Sequence, residues 1–520
     1  MKKTYWGKKS SDNKSWDYIV IGSGIGGMAT ASLLGSFGKK VLILERHYQP
    51  GGFTHTFSRK GYTWDVGVHT MGQVTLNHLE GRILQTLCGD NLQWKSMGNV
   101  CEIYYYPDKT VEIKDSVQAQ METLTTLFPE DEKAIKQYFK TVEKALRRLE
   151  FYYTSRCLFP HQLSFLDRIV GRNVWKWFGK TTEMVMKPMF KNKQLYDILT
   201  TRWVYYGAPP STSSFGVQAI VDRHFHQGGY YPCGGGKQFV NAFLKKIYEQ
   251  EGWTRINAEV TQINTHKNRV TGVTLNNGEK INAPRVVSAI PVHCLEKILP
   301  QPSQPWLQEL QQLPSTPAHL CLHLGFNSDI RNAGATAANA WILSDYGAKH
   351  AIWDITKNQT PGILYCSFPS LKDKHTSKHT AEIITFAPWD LFDKWQNTKW
   401  KKRGEEYELF KSKLTEQILQ QFFTVFPNLK TSISYSELST PLTTNHFMGT
   451  SHGSIYGLAP TPERYHSKWV RPRTPINGLF LSGSDMASPG VIGAMMGGVL
   501  SGVACCPVSG TMFLLKHMFR

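Results

Sequence analysis

The stretch from Asp17 to Gly52, DYIVIGSGIGGMATASLLGSFGKKVLILERHYQPGG, decides how the rest of this chain is read. Its first apolar run, Tyr18-Ile19-Val20-Ile21, has the β-branched and aromatic composition of a strand. Then come Gly22-Ser23-Gly24-Ile25-Gly26-Gly27, an Ala/Leu-rich segment to Phe37, Gly38, and a second apolar run from Val41 to Leu44. Strand, Gly-rich turn, helix and strand in this order are the setting a dinucleotide fingerprint requires. Gly22 permits the tight turn, Gly24 puts no Cβ in the path of a pyrophosphate, and Gly27 lets the helix lie close to the strand. The helix N-terminus offers phosphate its unpaired N–H groups and the positive end of its dipole. Glu45, with Arg46 beside it, closes the second strand and is placed to accept hydrogen bonds from a ribose diol.

Two further glycine elements follow at a distance. Pro50-Gly51-Gly52 lies just past the ribose acid and leads into Gly61 to His69, where Tyr62, Trp64 and Val66 alternate as in a strand. Near the end of the chain, Asn477 to Asp485 reads as a strand ending at Gly483, and a helix is expected to start near Val491 and Ile492. Asp485 is placed to bond ribityl or phosphate-side groups. A helix N-terminus at Val491 would stabilise negative charge on a bound ligand. Between these parts, Gly228 to Gly236 is a turn-rich re-entry, a helix is expected from Gln238 to Glu249, and Asn277-Gly278 between alternating runs marks a hairpin.

With 520 residues the chain exceeds a single core, so two packed units are expected. A net charge of +19 and a pI near 9.4 point to an anionic partner. No nucleic-acid motif accompanies the charge, so we expect no nucleic acid and favour an anionic lipid surface. Arg147 to Tyr206 holds eleven Lys or Arg against four acids, interleaved with Phe151, Tyr152, Tyr153, Leu158, Phe159, Phe165, Leu166, Trp175, Trp177 and Phe178. That pattern fits either a patch dipping into a membrane surface or a helical cap with a solvated basic face. The uncharged run from Met486 to Leu515 is long enough on paper to span a bilayer. It carries Pro489, Pro507 and six glycines, and a buried helix is also apolar all round, so we expect no spanning helix and a membrane-touching tail from Gly510. Nine cysteines without metal-ligand spacing predict reduced thiols, no metal site and a cytoplasmic compartment, and with the basic aromatic stretch the expectation is a cytoplasmic, peripherally membrane-associated protein.

The motifs together resemble the flavoproteins of the amine oxidase and phytoene desaturase superfamily, in particular their carotenoid isomerase and retinol saturase branch. The residues carrying the resemblance are Glu45 with Pro50-Gly51-Gly52, Asp65-Val66-Gly67-Val68-His69, Tyr231-Pro232, Pro441-Leu442-Thr443, Ser454-Ile455-Tyr456-Gly457, and Thr474 to Ala494. The resemblance implies an α/β fold: a Rossmann-type FAD-binding domain from residues 1–80, 228–292 and 470–510. An interleaved α+β substrate domain would take 81–227 and 293–469, leaving a tail at 511–520. It implies FAD, held by Gly22, Gly24, Gly27, Glu45, Arg46, Gly51, Gly52, the Val260 backbone near the adenine, Asp485, Val491 and Ile492. It also implies a hydrophobic small-molecule substrate, a polyene whose double bonds are saturated, desaturated or isomerised. His69 is the candidate catalytic group beside the flavin, and Asn445 and His446 are candidates for the substrate face. No second fingerprint in a strand-helix-strand setting is present, so electrons are expected to pass to or from an external electron donor or acceptor or to cycle without net redox. Two rivals share the fold: a flavin amine oxidase, disfavoured by the positive charge, and a non-catalytic prenyl-lipid binder like the Rab escort family, disfavoured by the intact Glu45, Gly51-Gly52 and Asp485.

Overall fold

Tyr18–Ile21 lies inside a six-stranded sheet, and every residue of it is buried. In the computed structural model, which describes residues 4–9, 15–147, 149–157, 172, 174–300, 304–347, 352–357, 360–373 and 378–518, this sheet runs in the order Trp6–Gly7, Trp253–Arg255, Val41–Leu44, Tyr18–Ile21, Val286–Ser288, Leu479–Leu481. All its pairings are parallel. Parallel strands are covered on both faces, which is why these read as unbroken apolar runs. Tyr18, Val20, Val41 and Ile43 face one core and Ile19, Ile21, Leu42 and Leu44 face the other, the period-2 division a strand dictates.

The first core is filled by the fingerprint helix Ile25–Ser36, helix Lys237–Glu249 and the closing helix Val491–Cys505. The fingerprint helix stops at Gly38, which takes φ +73° while its N–H reaches the Gly35 carbonyl and Lys39 N–H reaches Leu34. The closing helix crosses it backbone to backbone. A Cβ on Gly497 would stand 1.9 Å from the Gly483 carbonyl oxygen, and one on Gly498 would stand 2.3 Å from that of Gly26. The Thr30 hydroxyl fills the remaining space, 3.0 Å from the Gly498 carbonyl and 2.9 Å from the Ser482 hydroxyl. On the other face lies a three-stranded sheet, Val260–His266, Arg269–Leu275 and Lys280–Asn282, turned at Asn277-Gly278 as the sequence predicts.

A seven-stranded sheet forms the rest of the framework, in the order Ile433–Ser439, Ala318–Phe326, His379–Ala387, Ile363–Ser367, Asn339–Leu343, Val100–Tyr105, Thr110–Lys114. Residues 81 to 230, which form longer helical segments, also contribute strands to it and beside it. Val100–Tyr105 joins the sheet parallel to Asn339–Leu343, and Trp94–Ser96 pairs with Tyr230–Pro232. The alternation in VCEIYYYPDKTVEIK, with its Pro107-Asp108 turn, carried that signal. A short hairpin, Thr56–Arg59 with Tyr62–Asp65, is fastened to the seven-stranded sheet: Trp64 Nε1 donates to the Leu324 carbonyl at 2.9 Å and Tyr62 Oη to the Phe326 carbonyl at 3.3 Å.

The basic aromatic stretch is corrected in part. Tyr152 and Phe178 are core residues, and Trp175 stacks on His466. Phe151 stands out into solvent, while Leu158, Phe159, Phe165 and Leu166 lie outside the described residues. The uncharged run near the end is two helices broken at Cys506-Pro507, and among the described residues no helix is long and apolar enough to cross a membrane. All nine cysteines are free.

Gly498→Ala drives a methyl group into the Gly26 carbonyl and is expected to cost about 2–3 kcal/mol of stability. Urea unfolding of the variant against the wild type measures this, and an unchanged midpoint would show that the helices separate freely.

Candidate functional site

Both helices that fill the first core begin at the same place. Neither the fingerprint helix, preceded by Gly24, nor the closing helix, preceded by Gly490, has a side-chain cap, and both N-termini line one large cavity. Uncapped N–H groups need a partner, and anions supply it. A Cβ on Gly24 would meet nothing within 4 Å, and the same holds for Gly483 and Gly490. Open space at these three glycines is the cradle that a dinucleotide's phosphates fill, so the residues present fit a flavin nucleotide.

The acidic end is built by a chain of hydrogen bonds. Glu45 Oε2 accepts from the Ser23 amide at 2.9 Å and the Ser23 hydroxyl at 2.6 Å, and Oε1 accepts from the His47 amide at 2.8 Å. Ser23 Oγ in turn accepts from Gly51 N–H at 3.0 Å, which locks the double glycine beside the fingerprint. Gly52 then sits so close that its Cβ would be 3.0 Å from Gly24 Cα. Gly22, Gly24, Gly52, Glu45, Arg46, Val260, Val491 and Ile492 all line the cavity. Arg46 also donates to the His446 carbonyl at 3.1 Å and lies 3.9 Å from Glu259.

Other predicted residues act at the edge of the lining or behind it. Gly27 and Gly51 are not lining residues: a Cβ on Gly27 would be 2.1 Å from the Gly22 carbonyl, and one on Gly51 would be 2.4 Å from Val240. They shape the wall from behind. Asp485 reaches the lining, but its carboxylate is occupied by the chain itself, accepting from Val292 N–H at 2.9 Å and Leu458 N–H at 2.8 Å. It ties two returning segments to the site. Asn445 and His446 are outside the lining, and Phe447 to Thr450 take that place. Asn445 donates to the Thr450 carbonyl, and His446 stacks on Trp400.

His69 does line the cavity, and it brings with it a cluster that sequence reasoning missed. Its Nδ1 is 3.0 Å from Glu382 Oε2, and Glu382 Oε1 accepts from the Asp65 amide at 2.7 Å. The Lys372 ammonium donates to the His69 carbonyl at 2.7 Å, to Ser367 and to Asn339. Asp65 accepts from Gly236 N–H at 2.8 Å and from the Tyr231 hydroxyl. Burial controls all four titratable groups. It pushes Glu382 up to about 8 against the pull of Lys372, and Asp65 up to about 7 with the help of Glu382. It draws Lys372 down to about 7 and His69 to about 3, the latter aided by the Lys372 charge. At neutral pH His69 and Glu382 therefore meet as a neutral pair. The one hint in the sequence was an acid inside the otherwise apolar strand HTAEIITFA, since a buried carboxyl needs a partner.

Beside His69 the lining turns aromatic. Tyr205, Trp341 and Tyr365 meet edge to face at ring distances of 4.8 to 5.6 Å, and His69 stands 5.4 Å from Tyr365. Ile384, Phe386, Ile220 and Ile455 complete this side, with His319, whose buried Nδ1 has no hydrogen-bond partner among the described residues. The whole cavity measures about 1560 Å³. A site for one small molecule occupies roughly 300–1,000 Å³, so there is room for a dinucleotide and a second long ligand.

The model of the flavin-containing amine oxidoreductases matches residues 25–507. The chain belongs to that family. It is therefore a flavoprotein oxidoreductase. It is 28% identical over 523 residues to all-trans-retinol 13,14-reductase of Danio rerio, covering 94% of this chain and 85% of that protein. It is 25% identical over 504 residues to the chloroplastic prolycopene isomerase of Daucus carota, covering 94% and 79%. Cyclohexylamine oxidase from Brevibacterium oxydans shares the fold, with a TM-score of 0.61 at 16% identity over 96% of this chain and 100% of that one.

Two glycine variants separate the cradle from the wall. Gly24→Ala meets no atom and is expected to leave stability within about 0.5 kcal/mol while lowering the bound flavin sharply. Gly27→Ala strikes the Gly22 carbonyl and should lose both. Flavin absorbance per protein together with thermal unfolding reports the two effects, and equal behaviour of the variants would overturn the assignment of Gly24 to the ligand.

Proposed function

We propose that this chain is an FAD-dependent oxidoreductase acting on carbon–carbon double bonds of a long apolar polyene, a retinoid or a carotenoid. The observation that carries this reading is the continuity of the cavity, from two uncapped helix N-termini to an aromatic wall holding a neutral imidazole. Identity to a retinol reductase and a prolycopene isomerase along nearly the whole chain supports the same substrate class. The uncapped helices and Glu45 would hold the pyrophosphate and ribose of FAD, whose chemistry is hydride exchange.

The chain's own residues have the remaining tasks. Tyr205, Trp341, Tyr365 and Phe386 orient a flat conjugated chain and exclude water from it. Their ring faces stabilise cationic charge that develops along a polyene. His69 is the group in reach of a substrate proton, and electrons are exchanged with a separate partner protein or reductant.

The second ligand of the reading is a membrane. On the C-terminal helix Pro507–Met518, Val508, Met512 and Leu515 form an exposed stripe, 78%, 67% and 49% accessible, at the spacing of one helix face. Leu514 and Met518 of the same helix line the cavity, so one element joins that stripe to the interior. With a net charge of +19, anionic lipid is the partner that fits.

Anaerobic mixing of the reduced flavoprotein with all-trans-retinol or a poly-cis carotene should reoxidise the flavin or change the isomer, and His69→Ala should slow that single turnover by about 10²-fold. Peroxide release with an amine panel and no reaction with any polyene would replace this reading by amine oxidation. In flotation, the protein should rise with vesicles containing phosphatidylserine, and Met512→Glu with Leu515→Glu should leave it at the bottom. Wild-type protein that ignores anionic vesicles removes the membrane from the reading.

A further inference from the structure

We propose that Glu382 is a proton reservoir for the site, acting through His69, whose imidazole passes a proton between the Glu382 carboxyl and a substrate in the cavity by exchanging tautomers. The geometry is that of a relay. Glu382 is fully enclosed, whereas the His69 side chain is 13% accessible and lines the cavity. The ring thus stands between the acid and the ligand space. Its Nδ1 is taken by Glu382 Oε2 at 3.0 Å, and Nε2, on the opposite side of the ring, makes no hydrogen bond among the described residues. The Asp65 amide at 2.7 Å fixes the other carboxyl oxygen and the Ser367 hydroxyl also bonds the carboxyl, with Oε2 meeting the histidine.

Two states follow from this arrangement. When Oε2 carries the proton it donates to Nδ1, and the ring's own proton sits on Nε2, towards the cavity. When Glu382 is a carboxylate, Nδ1–H donates to it and Nε2 offers a lone pair. Passage from the first to the second breaks the Nε2–H bond as the proton moves to a substrate carbon. It also breaks the O–H bond of Glu382 and makes Nδ1–H. The imidazole begins and ends neutral, and the negative charge is left on Glu382, in the field of the Lys372 ammonium. In a saturation, a bound flavin would supply the hydride chemistry for the other hydrogen. In an isomerisation the proton returns by the reverse exchange.

The groups around the pair set its resting state. Asp65 and Tyr231 face it from the hairpin and the re-entry strand, Lys372 from the short helix Pro369–Lys372, and His319, Cys321, His323 and Tyr365 from the neighbouring strands. Burial holds Glu382 protonated up to about 8 and keeps His69 neutral down to about 3. The sign is that of a raised acid: the loaded state is full at neutral pH and is lost as pH rises through about 8.

The inference rests on the reading above only in that a substrate carbon receives the proton, so its test is read without substrate. In holoprotein with ¹⁵N-labelled histidine, the His69 nitrogens, assigned by their loss in His69→Ala, should show Nε2–H near neutral pH and shift towards Nδ1–H above about 8. Glu382→Gln can accept from the Asp65 amide and donate to Nδ1 but cannot release a proton. It should fold normally, hold the Nε2–H tautomer at every pH, and lower the single-turnover rate with a polyene by about 10²-fold without the alkaline fall of the wild type. A wild-type tautomer that ignores pH, a switch that survives in Glu382→Gln, or a wild-type rate in that variant would each overturn the relay. A switch present in wild type and absent in the variant, with no polyene turned over, upholds the relay and sinks the substrate reading instead.

Discussion

The fold depends on a contact in which side chains have been removed so that two backbones can touch. Gly26 on the fingerprint helix faces Gly498 on the closing helix, and Gly497 lies over Gly483 at the end of the last strand of the parallel sheet. At this separation the helix N-termini sit side by side, and two partial positive ends are directed into one space. Like poles side by side repel each other, and burial of the interface with Thr30 and Ser482 bonded across it offsets that cost. An anion in the cavity relieves it further. The glycine packing and the ligand site are therefore one constraint: moving the helices apart to admit larger side chains would also dismantle the cradle.

A second constraint acts where the hairpin packs on the seven-stranded sheet. Asp65, Glu382, Lys372 and His69 are buried together, an arrangement that costs free energy unless each group is paired. The solution is a mutual adjustment in which burial makes Glu382 neutral and leaves the lone ammonium of Lys372 among carbonyl and hydroxyl acceptors. The cluster also carries structure, since Asp65 closes the hairpin and holds the re-entry turn through Gly236. A site that must protonate a hydrocarbon chain needs an acid that is dry, neutral and fixed in position. Burial between the hairpin and that sheet supplies all three.

The parts of this site written in consecutive residues were legible, and the parts assembled by folding were not. Gly22 to Glu45 contains its own strand, turn, helix and acid, so spacing alone located it. Glu382 lies 313 positions from His69, and nothing in the sequence pairs them. Asp485 was read as a ligand because it follows a strand end, yet its partners are the amides of Val292 and Leu458, 193 and 27 positions away. Asn445 and His446 were chosen for residue type, and the helix Pro441–Met448 puts Phe447 and Met448 at the cavity instead. Strands Val100–Tyr105 and Thr110–Lys114 were readable from alternation and were overlooked because the helices around them dominate the composition.

The choice between an amine and a polyene turns on charge at the aromatic wall rather than on the fold, which amine oxidases share. A site that binds an ammonium group gains from a free carboxylate. The carboxylate bonded to this wall, Glu102, is taken up by Tyr205, Trp341 and the Arg202 guanidinium, and the acid behind His69 is Glu382. Burial holds that acid neutral, and Lys372 stands behind it ready to carry positive charge. A cationic substrate would find the Glu102 carboxylate already paired with Arg202 and would lose its hydration against Trp341 and Tyr365. A long conjugated hydrocarbon has no such loss. Its transfer from lipid to an aromatic channel exchanges one apolar surrounding for another, so selectivity rests on shape. Charge forming on it during reaction is then met by ring faces and a proton held one imidazole away.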